Sequence, residues 1–259
     1  MILIKSEPSP GIVLLTMNRP DKRNALNVEL LRALHSAIQE ASTAPEQRVL
    51  ILNGAGPVFC AGLDLSEAND PEKLEESAAL VKSTLLGLSN CPLITIATVH
   101  GAAMAGGAGI MSACDFVLST ETCLFGYPEV KRGLVAAIVM KFLMTQVSDR
   151  HARELLLLSR TINAKRAEQI GLINGITPDE ELINEAIKMA LEAMEGAPKA
   201  LKMTKQLLNK LNPPTVNDSL DIASSSHQEA RFSDEAREGS MAFLEKRAPS
   251  WSPKARENV

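Results

Sequence analysis

The sequence predicts an α/β fold, a mostly parallel sheet wrapped by helices, with a helical region at the C-terminal end. Three observations predict it. Short apolar runs alternate with amphipathic stretches through the first half of the 259 residues, the pattern of strands joined by crossover helices. Two of those runs lead into turns rich in glycine. From Ser148 onward the helical period dominates, and Gly196-Ala-Pro198 breaks the chain before a last set of helices. The expected division is an α/β core over residues 1–195 and a helical region over 196–259.

The elements follow in order. Ile12-Val-Leu-Leu-Thr-Met17 is a strand bounded by Gly11 and Asn18-Arg-Pro20. Asn27 can cap a helix that puts Leu30, Leu31, Leu34 and Ile38 on one face. Arg48 to Asn53 is a second, buried strand, stopped by Gly54-Ala-Gly-Pro57. A charged helix spans Glu72 to Leu88. Leu93 to Val99 is a third strand, Ala108 to Ala113 is helical, and Asp115 to Ser119 is a further strand. Asn163 caps a helix over Ala164 to Ile170 that Gly171 closes. Another helix runs from Asp179 to Glu195, and helices on either side of Pro213-Pro214 complete the chain.

A hydrophobic content of 45% suits one large core. The net charge of −4 argues against a nucleic-acid-binding surface. No apolar run reaches the roughly 18 residues that span a membrane. Met1 to Ser9 has neither the order of a signal peptide nor the arginines of a transit peptide. Cys60, Cys91, Cys114 and Cys123 lack paired spacing and read as reduced, buried side chains. The expected compartment is the cytoplasm. His35, His151 and His227 share no metal-ligand spacing, so no metal site is expected.

The chemistry lies in two loops. Val58-Phe-Cys-Ala-Gly-Leu-Asp-Leu65 follows one strand, and His100-Gly-Ala-Ala-Met-Ala-Gly-Gly-Ala-Gly109 follows another. Small residues there let a ligand approach the backbone. A strand that turns through glycine into a helix leaves the first N–H groups of the helix unpaired. Such fixed donors suit an oxygen that gains negative charge during reaction. The second loop carries neither the dinucleotide fingerprint nor a P-loop.

Together the loops resemble the enoyl-CoA hydratase/isomerase, or crotonase, superfamily. The resemblance extends to Asn18-Arg-Pro20 with Asn24-Ala-Leu26 and to Ala113-Cys-Asp115. It includes Phe125-Gly-Tyr-Pro-Glu129 with Arg132-Gly-Leu134, and Ala242-Phe-Leu-Glu-Lys-Arg247. It implies a crotonase-like spiral of β-β-α units and an acyl-CoA substrate, with coenzyme A as part of the substrate and no separate cofactor. It implies a homotrimer or a hexamer of paired trimers, whose tail helices help build a neighbour's CoA site. The N–H groups of Leu63 and Gly106 would hold the thioester oxygen, and Glu129 would move the proton. Arg23, Asn24, Ala25, Ala61, Gly62, Asp64 and Leu65 would line the CoA channel. Gly107, Gly109 and Tyr127 would line the acyl pocket. Lys22 or Arg23 could meet the CoA phosphates, and Lys199, Lys202 or Lys205 could face the nucleotide.

One position departs from the pattern. Hydratases of this family often carry a second glutamate three residues after the oxyanion glycine, where this chain has Gly109. Glu67 and Glu72 are the nearest candidates for a replacement. Hydration, double-bond isomerisation with a single glutamate, and decarboxylation of a β-carboxy-acyl-CoA all remain open. So does a catalytically inactive CoA-binding protein. The stretches Pro128-Glu-Val130 and Gly133-Leu-Val-Ala-Ala137 resemble the methylglutaconyl-CoA hydratase branch, which suggests a branched enoyl group.

Overall fold

The structure, a computed structural model, describes residues 1–67, 71–211 and 216–251. Its main sheet has six strands in the order β1-β2-β3-β4-β6-β9, and its small sheet has three, β5-β7-β8. The strands are β1 (Leu3–Ser9), β2 (Ile12–Met17), β3 (Val49–Gly54), β4 (Ile94–Val99), β5 (Ala102–Met104), β6 (Phe116–Thr120), β7 (Leu124–Gly126), β8 (Ile162–Asn163) and β9 (Gly175–Thr177). The helices are α1 (Val28–Thr43), α2 (Pro71–Ser89), α3 (Gly106–Ser112), α4 (Ala137–Gln146), α5 (Asp149–Leu157), α6 (Ala164–Gln169), α7 (Leu182–Met194), α8 (Pro198–Leu211), α9 (Val216–Arg231) and α10 (Asp234–Leu244).

In the main sheet only β1–β2 is antiparallel. Its central strands read as unbroken apolar runs because both faces are covered. Val49 and Ile51 pack with Ile96 against Leu182, Ala186 and Ala190 of α7. Leu50 and Leu52 point the other way, into the larger core with Leu30, Leu34 and Ile38 of α1. The α1 cap forms as its sequence dictates, with Asn27 Oδ1 accepting from the Leu30 N–H at 3.0 Å.

The spiral is visible in the chain order. A main-sheet strand, a short strand of the small sheet and a helix recur as β4-β5-α3 and again as β6-β7-α4. In the turn before these, the second strand shrinks to one bridge between Cys60 and Ala103.

Several details depart from the sequence reading. β1 is an added strand, since only Leu3 at its start is buried and no apolar run marks it. The span after Ser148 is not wholly helical: β8 joins the small sheet, and β9 extends the main sheet beyond β6. Pro213-Pro214 lies outside the described residues. All four cysteines are free and buried. No helix among the described residues is long and apolar enough to cross a membrane.

The tail is anchored to the core. Lys205 of α8 is buried, with Nζ 2.6 Å from Asp115 Oδ2 and 2.9 Å from the Leu93 carbonyl. It therefore does not face a nucleotide, as one expectation had it, whereas Lys199 and Lys202 are exposed. α9 and α10 fold back over their own chain. A Cβ on Gly239 of α10 would lie 2.3 Å from the Arg132 carbonyl oxygen. That contact brings α10 against the 3-10 turn Glu129–Arg132.

Candidate active site

The two glycine-rich loops are laced into one ladder. The N–H groups of Phe59, Cys60 and Met104 donate to the carbonyls of His100, Ala102 and Cys60 at 2.9, 3.1 and 3.0 Å. Residues 23–26 strap the first loop from its other side. Ala61 N–H donates to the Arg23 carbonyl at 3.0 Å, Leu26 N–H to the Gly62 carbonyl at 2.8 Å, and Asp64 N–H to the Leu26 carbonyl at 3.0 Å. Asn24 is wholly buried and pins the strap, its amide donating to the Ala55 and Val58 carbonyls, both at 2.8 Å. Arg19 donates to the Ala25 carbonyl and pairs with Asp64 at 2.9 Å. Burial works to raise the Asp64 carboxyl, but Ser66 and Arg19 hold it below its ordinary value.

Among the N–H groups that this frame leaves over are two at the loop ends. Neither the Leu63 nor the Gly106 N–H has an acceptor among the described residues. Gly62 holds φ +99, and Ala105 holds φ 49 just before α3. These two left-handed residues are what turn the following N–H groups away from the backbone ladder. The donors are neighbours, since a Cβ placed on Gly106 would lie 3.9 Å from the Leu63 nitrogen.

Leu63, Leu65 and Gly106 line one cavity with Glu129, Arg132, Val139 and His227. Glu129 opens the 3-10 turn after Pro128 and is only 9% exposed. Its Oε2 has no hydrogen-bond partner. Burial pushes its carboxyl up to about 7, against the opposing pull of its own N–H and of the Arg132 guanidinium. An acid with that value is available in both forms near neutral pH, which suits proton transfer. Glu129 is the one carboxylate among the lining residues described for this cavity.

The other expected site residues fall elsewhere. Gly107 packs against the first loop, where a Cβ would lie 2.6 Å from the Cys60 carbonyl oxygen. Gly109 faces Val139, and Tyr127 is buried with its hydroxyl 3.2 Å from Ser112 Oγ. None of these three is among the residues described as lining this cavity. Lys22 and Arg23 are exposed. Glu67 is engaged elsewhere, its Oε2 accepting from the Val28 N–H at 3.0 Å. Glu72 opens α2 and is not among the residues described for the cavity wall. The sequence reading missed Arg132 as a cavity residue, although it lies three positions after Glu129. It also missed His227 and Arg231, which α9 brings in from nearly a hundred residues away.

Two neighbouring N–H donors beside a buried carboxyl are the equipment of an enzyme that holds a developing oxyanion and moves a proton. The sequence profile of the enoyl-CoA hydratase/isomerase family matches residues 7–254, and the chain belongs to that family. The enoyl-CoA hydratase EchA19 of Mycobacterium tuberculosis is 32% identical over 92% of this chain and 92% of its own. The mevalonyl-coenzyme A hydratase sidH of Aspergillus fumigatus is 31% identical, over 96% of this chain and 94% of its own. Solved structures share the crotonase fold. An enoyl-CoA hydratase/isomerase from Pseudoalteromonas atlantica superposes with a TM-score of 0.87 at 29% identity, covering 97% of this chain and 100% of that one. An enoyl-CoA hydratase from Mycobacterium avium subsp. paratuberculosis gives 0.87 at 26% identity, covering 97% and 99%.

Proposed function

We propose that this enzyme adds water reversibly across the C2–C3 double bond of an enoyl-CoA, with Glu129 as its one acid–base group. The observation that carries this reading is the isolated Glu129 carboxyl in the cavity that also holds the Leu63 and Gly106 N–H donors. In the hydration direction the Glu129 carboxylate takes a proton from water as the water oxygen attacks C3. The electron pair moves to the thioester oxygen, which Leu63 and Gly106 hold as an enolate. The protonated Glu129 then returns its proton to C2. Hydroxyl and hydrogen enter from the side of the single carboxyl, and no further cofactor takes part. The coenzyme A arm would pass along residues 23–25 and 61–65.

A second reading is double-bond isomerisation. It is favoured by the Gly109–Val139 contact, which leaves position 109 no room for a second carboxylate to hold a water molecule. A branched acyl group is supported by one relative's name, mevalonyl-coenzyme A hydratase. Exposed Leu207, Leu208 and Leu211 on α8 offer an apolar surface for the expected trimer or hexamer, and the expected compartment is the cytoplasm.

Turnover on crotonyl-, 3-methylglutaconyl-, 3-enoyl- and β-carboxy-acyl-CoA, with products read by mass, tests the proposal. Gain of one water supports it. Unchanged mass with a migrated double bond replaces it with isomerisation, and loss of carbon dioxide replaces it with decarboxylation. No turnover on the panel overturns hydration of these acyl groups and points to another acyl-CoA substrate or to a CoA-binding protein.

A further inference from the structure

The Glu129 cavity and the one adjoining it are lined by two arginines, Arg132 and Arg231, that have no ion-pair partner among the described residues. Arg132 lies three positions after Glu129 on the same 3-10 turn. Side chains at that spacing share one side of such a turn, and the two charges act on each other from beyond ion-pair distance. It rests over the Phe243 ring of α10, 4.3 Å from the centroid. No carboxylate lies within ion-pair distance of it, and no acceptor takes its N–H groups among the described residues. Burial pulls its pKa below the ordinary arginine value.

A second arginine stands behind it. Arg231 of α9 donates to His227 Nε2 at 3.3 Å and likewise has no carboxylate partner among the described residues. Burial and the Arg231 charge press the His227 ring down to about 4, so the ring is a neutral acceptor near pH 7. His227 lines both the Glu129 cavity and the adjoining one that reaches Arg231. One half-buried guanidinium, Arg132, thus shares the Glu129 cavity, and a second, Arg231, lines the adjoining one behind His227. Removing an unpaired charge from water is costly, and a bound anion offsets that cost.

An anion bound beside Arg132 would belong to the acyl group. In an acyl-CoA the phosphates are separated from the thioester by the whole pantetheine arm. Arg132 shares its cavity with the two donors that would hold the thioester oxygen, so it sits at the acyl end. A planar guanidinium matches a carboxylate with paired N–H donors. We propose that Arg132 binds a terminal carboxylate on a short acyl chain, making the preferred substrate the CoA monothioester of a dicarboxylic acid. Val139, Ile138 and Val135 close the cavity around it and limit chain length.

This inference rests on the acyl-CoA reading of the site, and binding separates the two. Titration calorimetry on the full chain would compare glutaryl-CoA, its uncharged terminal amide and free CoA. The expected result is that glutaryl-CoA binds at least tenfold more tightly than the amide. Arg132→Gln should abolish that difference and leave free CoA affinity unchanged, and Arg132→Lys should retain part of it. Equal binding of acid and amide by the unaltered chain overturns the inference alone. Arg132→Gln weakening free CoA as much as glutaryl-CoA also overturns it, by assigning the arginine to the phosphates. Failure of all three ligands to bind overturns the acyl-CoA reading and the inference together.

Discussion

Val139 occupies the space that any side chain at residue 109 would need. A Cβ built on Gly109 would lie 2.3 Å from Val139 Cγ1 and 2.8 Å from its Cβ. Val139 is itself buried in the first turns of α4. The missing second glutamate is thus a filled position, and the wall of the cavity is built around its absence.

Gly109→Glu alone should therefore destabilise the chain by overpacking, by about 1–3 kcal/mol. Val139→Ala in the same chain should recover part of that loss. A double-mutant cycle read by thermal unfolding checks this, with a coupling of at least about 0.5 kcal/mol expected for residues in contact. Additive effects would mean that the two side chains do not compete for one space.

The buried carboxyl should make catalysis sensitive to pH in a defined direction. Both hydration and dehydration begin with Glu129 as a base, so kcat/KM should rise as pH passes through about 7 and then level off. A profile that is flat from pH 5 to 8 would remove Glu129 as the starting base.

The same shift should act on stability with the opposite outcome for the fold. The folded carboxyl ionises near 7, whereas an unburied one ionises near 4.5. Between those values the unfolded chain binds fewer protons, so this group's contribution falls as pH rises through the window. Its full extent is about 3 kcal/mol. Glu129→Gln should thus raise Tm relative to the unaltered chain at pH 8 and leave it nearly unchanged at pH 4.5. Equal shifts at both pH values would show that burial does not perturb this carboxyl.

Gly62 sets the direction of one oxyanion donor. It holds φ +99, and an added Cβ would lie 3.0 Å from both the Met104 carbonyl oxygen and the Ala105 Cβ. Gly62→Ala should tilt the Leu63 N–H and lower kcat by about 10²-fold, the scale of losing one such donor. Steady-state kinetics beside calorimetric CoA binding would check it, and an unchanged kcat would exclude Leu63 as a donor.

Much of this is legible in the sequence. The runs ending at Met17, Asn53 and Val99 are strands because both of their faces are buried, which leaves a continuous apolar signature. Asn27 and Asn163 announced helix starts by local chemistry that needs no tertiary context. β1 was not legible, because a polar edge strand is held by its pairing with β2. β5, β7 and β8 are too short for any period to show.

For the site, the loops around Leu63 and Gly106 and the segment ending at Glu129 could be read locally. The Val139–Gly109 contact and the approach of His227, Arg231 and Phe243 could not. They depend on α4, α9 and α10 folding back over the catalytic turn, and no sequence spacing encodes that meeting.

The central claim is that Glu129 alone carries the proton. Its most direct test is Glu129→Gln, measured for turnover on the best enoyl-CoA substrate and for CoA affinity by calorimetry. The account predicts a fall in kcat of about 10²–10⁴-fold, the range for loss of a general acid–base group, with CoA affinity unchanged. Turnover within a few-fold of the unaltered enzyme would contradict it and place the proton transfer on another group.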